Sequence, residues 1–172
     1  LKAGGRMDTT KTALITAMEA YFNTDSKRIK HAHSVTEYAE KLLKSEGGEY
    51  IIVIGAAVLH DIGIPAAEEK YGSAAGKYQE IEGPPIARQI LTRLGFAPEQ
   101  TEEICQIIAH HHSPGKINTR NFKILYDADW LVNLRDEYDI RNEKKLSNII
   151  SKVFLTPGGK TLAREIYLPE NK

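Results

Sequence analysis

IIVIGAAVLHDIG, residues 51–63, stays apolar up to Leu59 and then sets His60 beside Asp61. A run of this kind forms either a buried strand or a buried helix. It is long for a strand, and no second run in the chain resembles it and could pair with it, so it reads as a helix from about Glu49 to Ile62, ended by Gly63 and Pro65. Burying an ionisable pair next to Val58 and Leu59 is costly unless a metal ion or strong hydrogen bonds compensate it. That compensating partner is the feature to find.

Helical punctuation recurs on both sides of this run. On the N-terminal side a helix is predicted from Thr9 to Phe22, followed by one from Ser26 to Ser45 that is capped by Thr24 or Asp25 and stopped by Gly47-Gly48. Residues 66–82, with Gly72, Gly76 and mixed charges, read as an exposed loop with one short helix, the natural place for a lid. Pro84-Pro85 then opens a helix closed by Gly95, and Pro98 opens another that reaches His112 before SPGK breaks it. Further helices are predicted at Asn121–Tyr138, Arg141–Leu155 and Lys160–Tyr167, giving one all-α domain of about seven or eight helices. The domain is placed at residues 8–172, and residues 1–7 are read as a disordered N-terminal segment or tag remnant.

The 172 residues, 41% of them hydrophobic, suffice for one core and are too few for two. Lys plus Arg (23) equals Asp plus Glu (23), so no global field draws the chain to nucleic acid or to an anionic membrane. The single Cys105 rules out an internal disulfide framework and a multi-cysteine zinc site, and points to a reducing cytosol. No segment is read as membrane-spanning, and the expected location is cytoplasmic.

All six histidines fall in three places: His31 with His33, His60, and His110 to His112. Helical periodicity separates them. His31 shares a stripe with Val35, Tyr38 and Leu42, the core side, whereas His33 aligns with Glu37 and Glu40 and faces water. On a later helix Phe122, Leu125, Tyr126, Asp129 and Val132 share one side, which sets a carboxylate in an apolar stripe; Asp127 falls off it and reads as a surface or supporting group. Ile104, Ile107, Ile108 and His111 share an inner side, with His110 turned outward and His112 at the margin. A single buried histidine is more often a hydrogen-bonded core residue than a ligand. Four inward residues on three helices, His31, His60, Asp61 and Asp129, are better explained together, as a nitrogen and oxygen donor set for one divalent metal ion.

His31, then His60-Asp61 within AAVLHDIG, then Asp129 within YDADWLVN, resembles the signature of the HD superfamily of metal-dependent phosphohydrolases: a histidine, a histidine-aspartate pair and a later aspartate. The resemblance spans residues 28–137, and the tail TPGGKTLARE is similar to that of small bacterial members. It implies an HD-type helical bundle with His31, His60, Asp61 and Asp129 as ligands of Mn, Fe, Co, Ni, Mg or Zn. The cyclic-di-GMP-hydrolysing branch is set aside, because Ile64-Pro65 follows HDIG and SPGK follows His112. In two-metal members the helices between the pair and the last aspartate supply further histidines. His110 and His111 match one such position, but Gln79, Glu80 or Glu82 stands at the other.

The expected reaction is hydrolysis of a phosphate ester, a nucleotide or other small phosphomonoester, by water activated at the ion. Asp61, His111 and His110 are the catalytic candidates; His110 and His111, with Arg28 and Lys116, are the candidates for holding substrate. The expected partner is a small phosphorylated substrate, with no membrane and no specific nucleic acid, and a homodimer is left open. Two alternatives stand beside this. ADWLVN is similar to a segment of (p)ppGpp-type pyrophosphohydrolases, and a regulatory module would bind metal or nucleotide without turnover.

Overall fold

A computed structural model of the chain describes the backbone of residues 3–168 and the side chains of residues 9–168. The described residues form nine helices and no strand: α1 (Ala3–Phe22), α2 (Ser26–Glu46), α3 (Tyr50–Leu59), α4 (Ile64–Tyr71), α5 (Gly76–Arg93), α6 (Pro98–Ile108), α7 (Arg120–Glu137), α8 (Glu143–Val153) and α9 (Pro157–Tyr167). The all-α assignment holds, with one or two more helices than the punctuation predicts. The backbone is helical from Ala3 rather than Thr9, which takes α1 into the segment read as disordered. Residues 1 and 2 lie outside the described residues.

The 51–63 run is the centre of the bundle. Ile52 to Leu59 are all buried, and α1, α2, α6 and α7 all pack on this helix. A helix apolar all round is stable only when it is covered all round. By length and hydropathy Tyr50–Tyr71 does reach membrane-spanning size, contrary to expectation, but 72% of that window is buried inside the fold and a turn interrupts it. Its apolarity belongs to the core.

Three boundaries differ from the sequence reading. Gly63 and Pro65 do end α3, but Pro65 sits in the first turn of α4, where its missing N–H costs nothing. The expected loop at residues 66–82 is therefore α4, a short connection and the start of α5. Pro84 and Pro85 lie inside α5 instead of opening it. A proline in a helix interior costs about 3 kcal/mol in isolation; here packing and side-chain bonds of the preceding turns offset it. Tyr71 donates its hydroxyl proton to Glu82 at 2.7 Å, the Tyr71 and Tyr78 rings stack 4.2 Å apart, and Gln79 is buried. At Gly63 the backbone of Gly83 comes so close that a Cβ would meet its nitrogen at 2.5 Å, so α5 lies directly against the His60–Gly63 turn.

The C-terminal segment closes over α7. Asp127, read as a surface or supporting group, is fully buried and accepts hydrogen bonds from Leu155 N (2.8 Å), Thr156 N (2.8 Å) and Thr156 Oγ1 (2.7 Å). The correction has a simple cause: α2 and α3 cover one side of α7 while α9 covers another, so the helix has more than one inward face. Glu46 takes the Gly158 N–H at 2.6 Å, so two carboxylates receive the start of α9.

Candidate metal centre

Four elements deliver the site. α2, started by Asp25 accepting from Arg28 N at 3.1 Å, carries His31 on its second turn. The turn between α3 and α4 carries His60 and Asp61, and α7, capped by Thr119, carries Asp129. The turn that follows α6 carries His111.

Their ligand-type atoms converge. His31 Nε2 lies 3.1 Å from His60 Nε2, 3.1 Å from Asp129 Oδ1 and 3.5 Å from Asp61 Oδ2. His60 Nε2 lies 3.4 Å from Asp61 Oδ2 and 3.6 Å from Asp129 Oδ1. Donor atoms held about 2.1 Å from one ion stand about 3.0 Å apart in an octahedron and about 3.4 Å apart in a tetrahedron, close to the separations found here. His111, 3% exposed, sits just behind with Nε2 3.6 Å from Asp61 Oδ1.

Backbone carbonyls fix two of the imidazoles. His60 Nδ1–H donates to Ala57 O at 2.9 Å and His111 Nδ1–H to Ile108 O at 2.7 Å, which leaves each Nε2 as a lone pair facing carboxylate oxygens. His111 Nε2 is buried with no hydrogen-bond partner. Lone pairs aimed at one another need a positive charge between them, and a divalent cation fits this donor set.

The electrostatics agree. Burial by itself would lower His60, yet Asp61 and Asp129 reverse the sign and hold its imidazole well above the usual range, so Nε2 attracts a proton whose place a bound cation would take. Burial likewise works against ionised Asp61, but His60 and His111 hold it well below the ordinary carboxylate range. For Asp129, hydrogen bonds from His31 and His60 outweigh burial and keep the carboxyl low. Both acids are thus held as anions around a centre that attracts positive charge.

The other expected residues lie as follows. His33 pairs with Glu19 at 2.7 Å on the surface, as its periodicity implies. Arg28, one turn before His31, bonds Asp25 and reaches Glu68 of α4 at 2.7 Å. Lys116 is exposed in the loop after the histidine triplet, and His110 is half-buried outside the cluster. His112, read as marginal, joins Asp61 and His111 in a second group of possible ligands beside the set of His31, His60 and Asp129. Gln79 turns its amide nitrogen to Ala74 O at 2.7 Å, so its oxygen accepts the His112 Nε2 proton at 3.1 Å. Glu80 takes His112 N at 3.0 Å and Ser113 Oγ at 2.9 Å. Gln79 and Glu80 thus hold the histidine turn in place.

The periodicity test passes over one contributor. Asn133 Nδ2 donates to Asp129 Oδ1 at 2.8 Å. Its spacing of four residues from Asp129 was the signal available in the sequence.

A family model for the HD domain matches residues 28–134, well over half of the chain. The chain belongs to the HD domain family. Members are for the most part metal-dependent hydrolases, and the His/Asp groups of this HD domain are compatible with metal binding. No curated protein and no solved structure matches the chain.

Proposed function

We propose that this HD domain is a metal-dependent phosphohydrolase that cleaves a phosphate ester, a nucleotide or another small phosphomonoester. One observation carries the reading: two imidazole nitrogens and two carboxylates, from three separate parts of the chain, meet with spacings of 3.1 to 3.6 Å. His31, His60, Asp61 and Asp129 are the residues to hold the ion. When bound, a divalent ion supplies Lewis-acid charge toward a phosphoryl oxygen and acidifies water.

The chain's own groups do the rest. Asp61 Oδ1, facing His111 rather than the other ligands, is placed to accept a proton from water. His111 takes up a proton at its unpartnered Nε2, because Nδ1–H is committed to Ile108 O; as an imidazolium next to Asp61 it donates to the leaving oxygen. Arg28, Lys116 and His110 are the candidates for holding substrate phosphate.

The test is elemental analysis of protein purified without chelator, beside H60A and D61A, followed by a panel of nucleotides and phosphomonoesters with added Mn. Wild type holding about one ion per chain, both variants losing it, and metal-dependent phosphate release support the proposal. Equal and negligible metal in all three proteins sinks it. Release of pyrophosphate, or stabilisation by ligand without turnover, replaces it with the pyrophosphohydrolase or the regulatory reading.

A further inference from the structure

The geometry points to Asn133 as a positioning residue for the metal centre, one that aims Asp129 by occupying one acceptor direction of its Oδ1 oxygen. This inference rests on the metal reading above.

A carboxylate oxygen has two lone-pair directions and can only accept, so the atom of Asn133 that faces it at 2.8 Å is the amide N–H. With one direction taken, the other is left for the space that Oδ1 shares with His31 Nε2 at 3.1 Å and His60 Nε2 at 3.6 Å. The donor and the carboxylate ride on the same helix, one turn apart on α7, so their alignment does not depend on how neighbouring helices settle. Asparagine is a poor residue for a helix interior. Here it is half-buried, with its amide turned to the carboxylate. Replacing a partner that orients a ligand in this way typically costs about 10- to 100-fold in metal affinity.

The probe is Mn2+ alone, titrated calorimetrically into metal-free wild type, N133A, N133L and N133Q, with thermal melts of the same metal-free proteins. N133A removes the donor, N133L keeps the volume without it, and N133Q restores an amide at the same helical spacing. The expected result is an affinity weaker by about 10- to 100-fold in N133A and N133L, partly recovered in N133Q, with unchanged metal-free melting temperatures. Affinities within twofold of wild type in N133A and N133L overturn the inference, as does a metal-free melting temperature that falls along with affinity. Unchanged Mn2+ affinity with a raised KM also overturns it, by making Asn133 a substrate contact. Failure of wild type itself to bind Mn2+ is a different outcome and defeats the metal reading instead.

Discussion

His31 Nε2 and His60 Nε2 face each other across 3.1 Å although they are 29 residues apart and the second is completely buried. With His60 Nδ1–H given to Ala57 O, its Nε2 meets His31 as a lone pair, and the pair is satisfied by a shared cation. Replacing either with alanine is expected to reduce bound metal to below about a tenth of wild type, and metal-dependent turnover with it. Elemental analysis of H31A and H60A checks this, and variants that keep a full metal complement refute it.

His111 divides activity from metal binding. Removing its imidazole leaves His31, His60, Asp61 and Asp129 in place, so H111A is expected to keep its metal while turnover falls by about 100- to 10,000-fold. If H111A instead loses metal in proportion to activity, His111 belongs among the ligands and not to proton transfer.

Burial pushes Asp127 up to about 6 from an ordinary 3.8, against the three donors from Leu155 and Thr156. The folded state therefore holds this proton more tightly than the unfolded chain. Stability from Asp127 is complete below about pH 4 and is lost as pH rises through 6, a loss of up to about 3 kcal/mol. Denaturant unfolding between pH 4 and 7 is expected to show this extra downward slope in wild type and not in D127N. Parallel slopes would mean that the three donors keep Asp127 ionised throughout.

Gly159 lies in the first turn of α9, where alanine would ordinarily stabilise a helix by about 1 kcal/mol. A Cβ there overlaps the Asp127 carboxylate, which is fixed by three hydrogen bonds and cannot move aside. G159A is expected to destabilise the protein by about 2 to 3 kcal/mol, the opposite sign to propensity. A raised melting temperature would show that the α9 docking is loose.

Arg28 bonds Asp25 and Glu68 at the N-terminal end of the helix that carries His31. Exposed pairs of this sort contribute about 0 to 1 kcal/mol, so R28A should leave stability nearly unchanged. If the arginine meets substrate phosphate, KM rises several-fold at constant metal content; unchanged KM removes it from the binding surface.

Much of this molecule is legible in one dimension. The apolar run from Ile51 to Leu59 has to be covered on every side, which makes it the central helix, and the charges at His60 and Asp61 mark where that covering must include something polar. Periodicity picks out the inward-facing His31, His111 and Asp129, because each shares its stripe with several apolar residues. It fails at Asp127, where a helix covered from two directions has no single inward side, and at Pro84-Pro85, where contacts made by the preceding turns outweigh a strong local breaker.

The sequence by itself determined an all-helical chain, its HD signature and the identity of the residues able to bind a cation, since these follow from side-chain chemistry and from the 3.6-residue repeat. Only the tertiary structure decided that His31, His60, Asp61 and Asp129 share one centre, that His111 keeps an unpartnered nitrogen behind it, and that Asn133 and Gln79 hold their neighbours in place. Those relations join residues up to 98 positions apart, and distances of that kind are set by how helices pack, which no local pattern encodes.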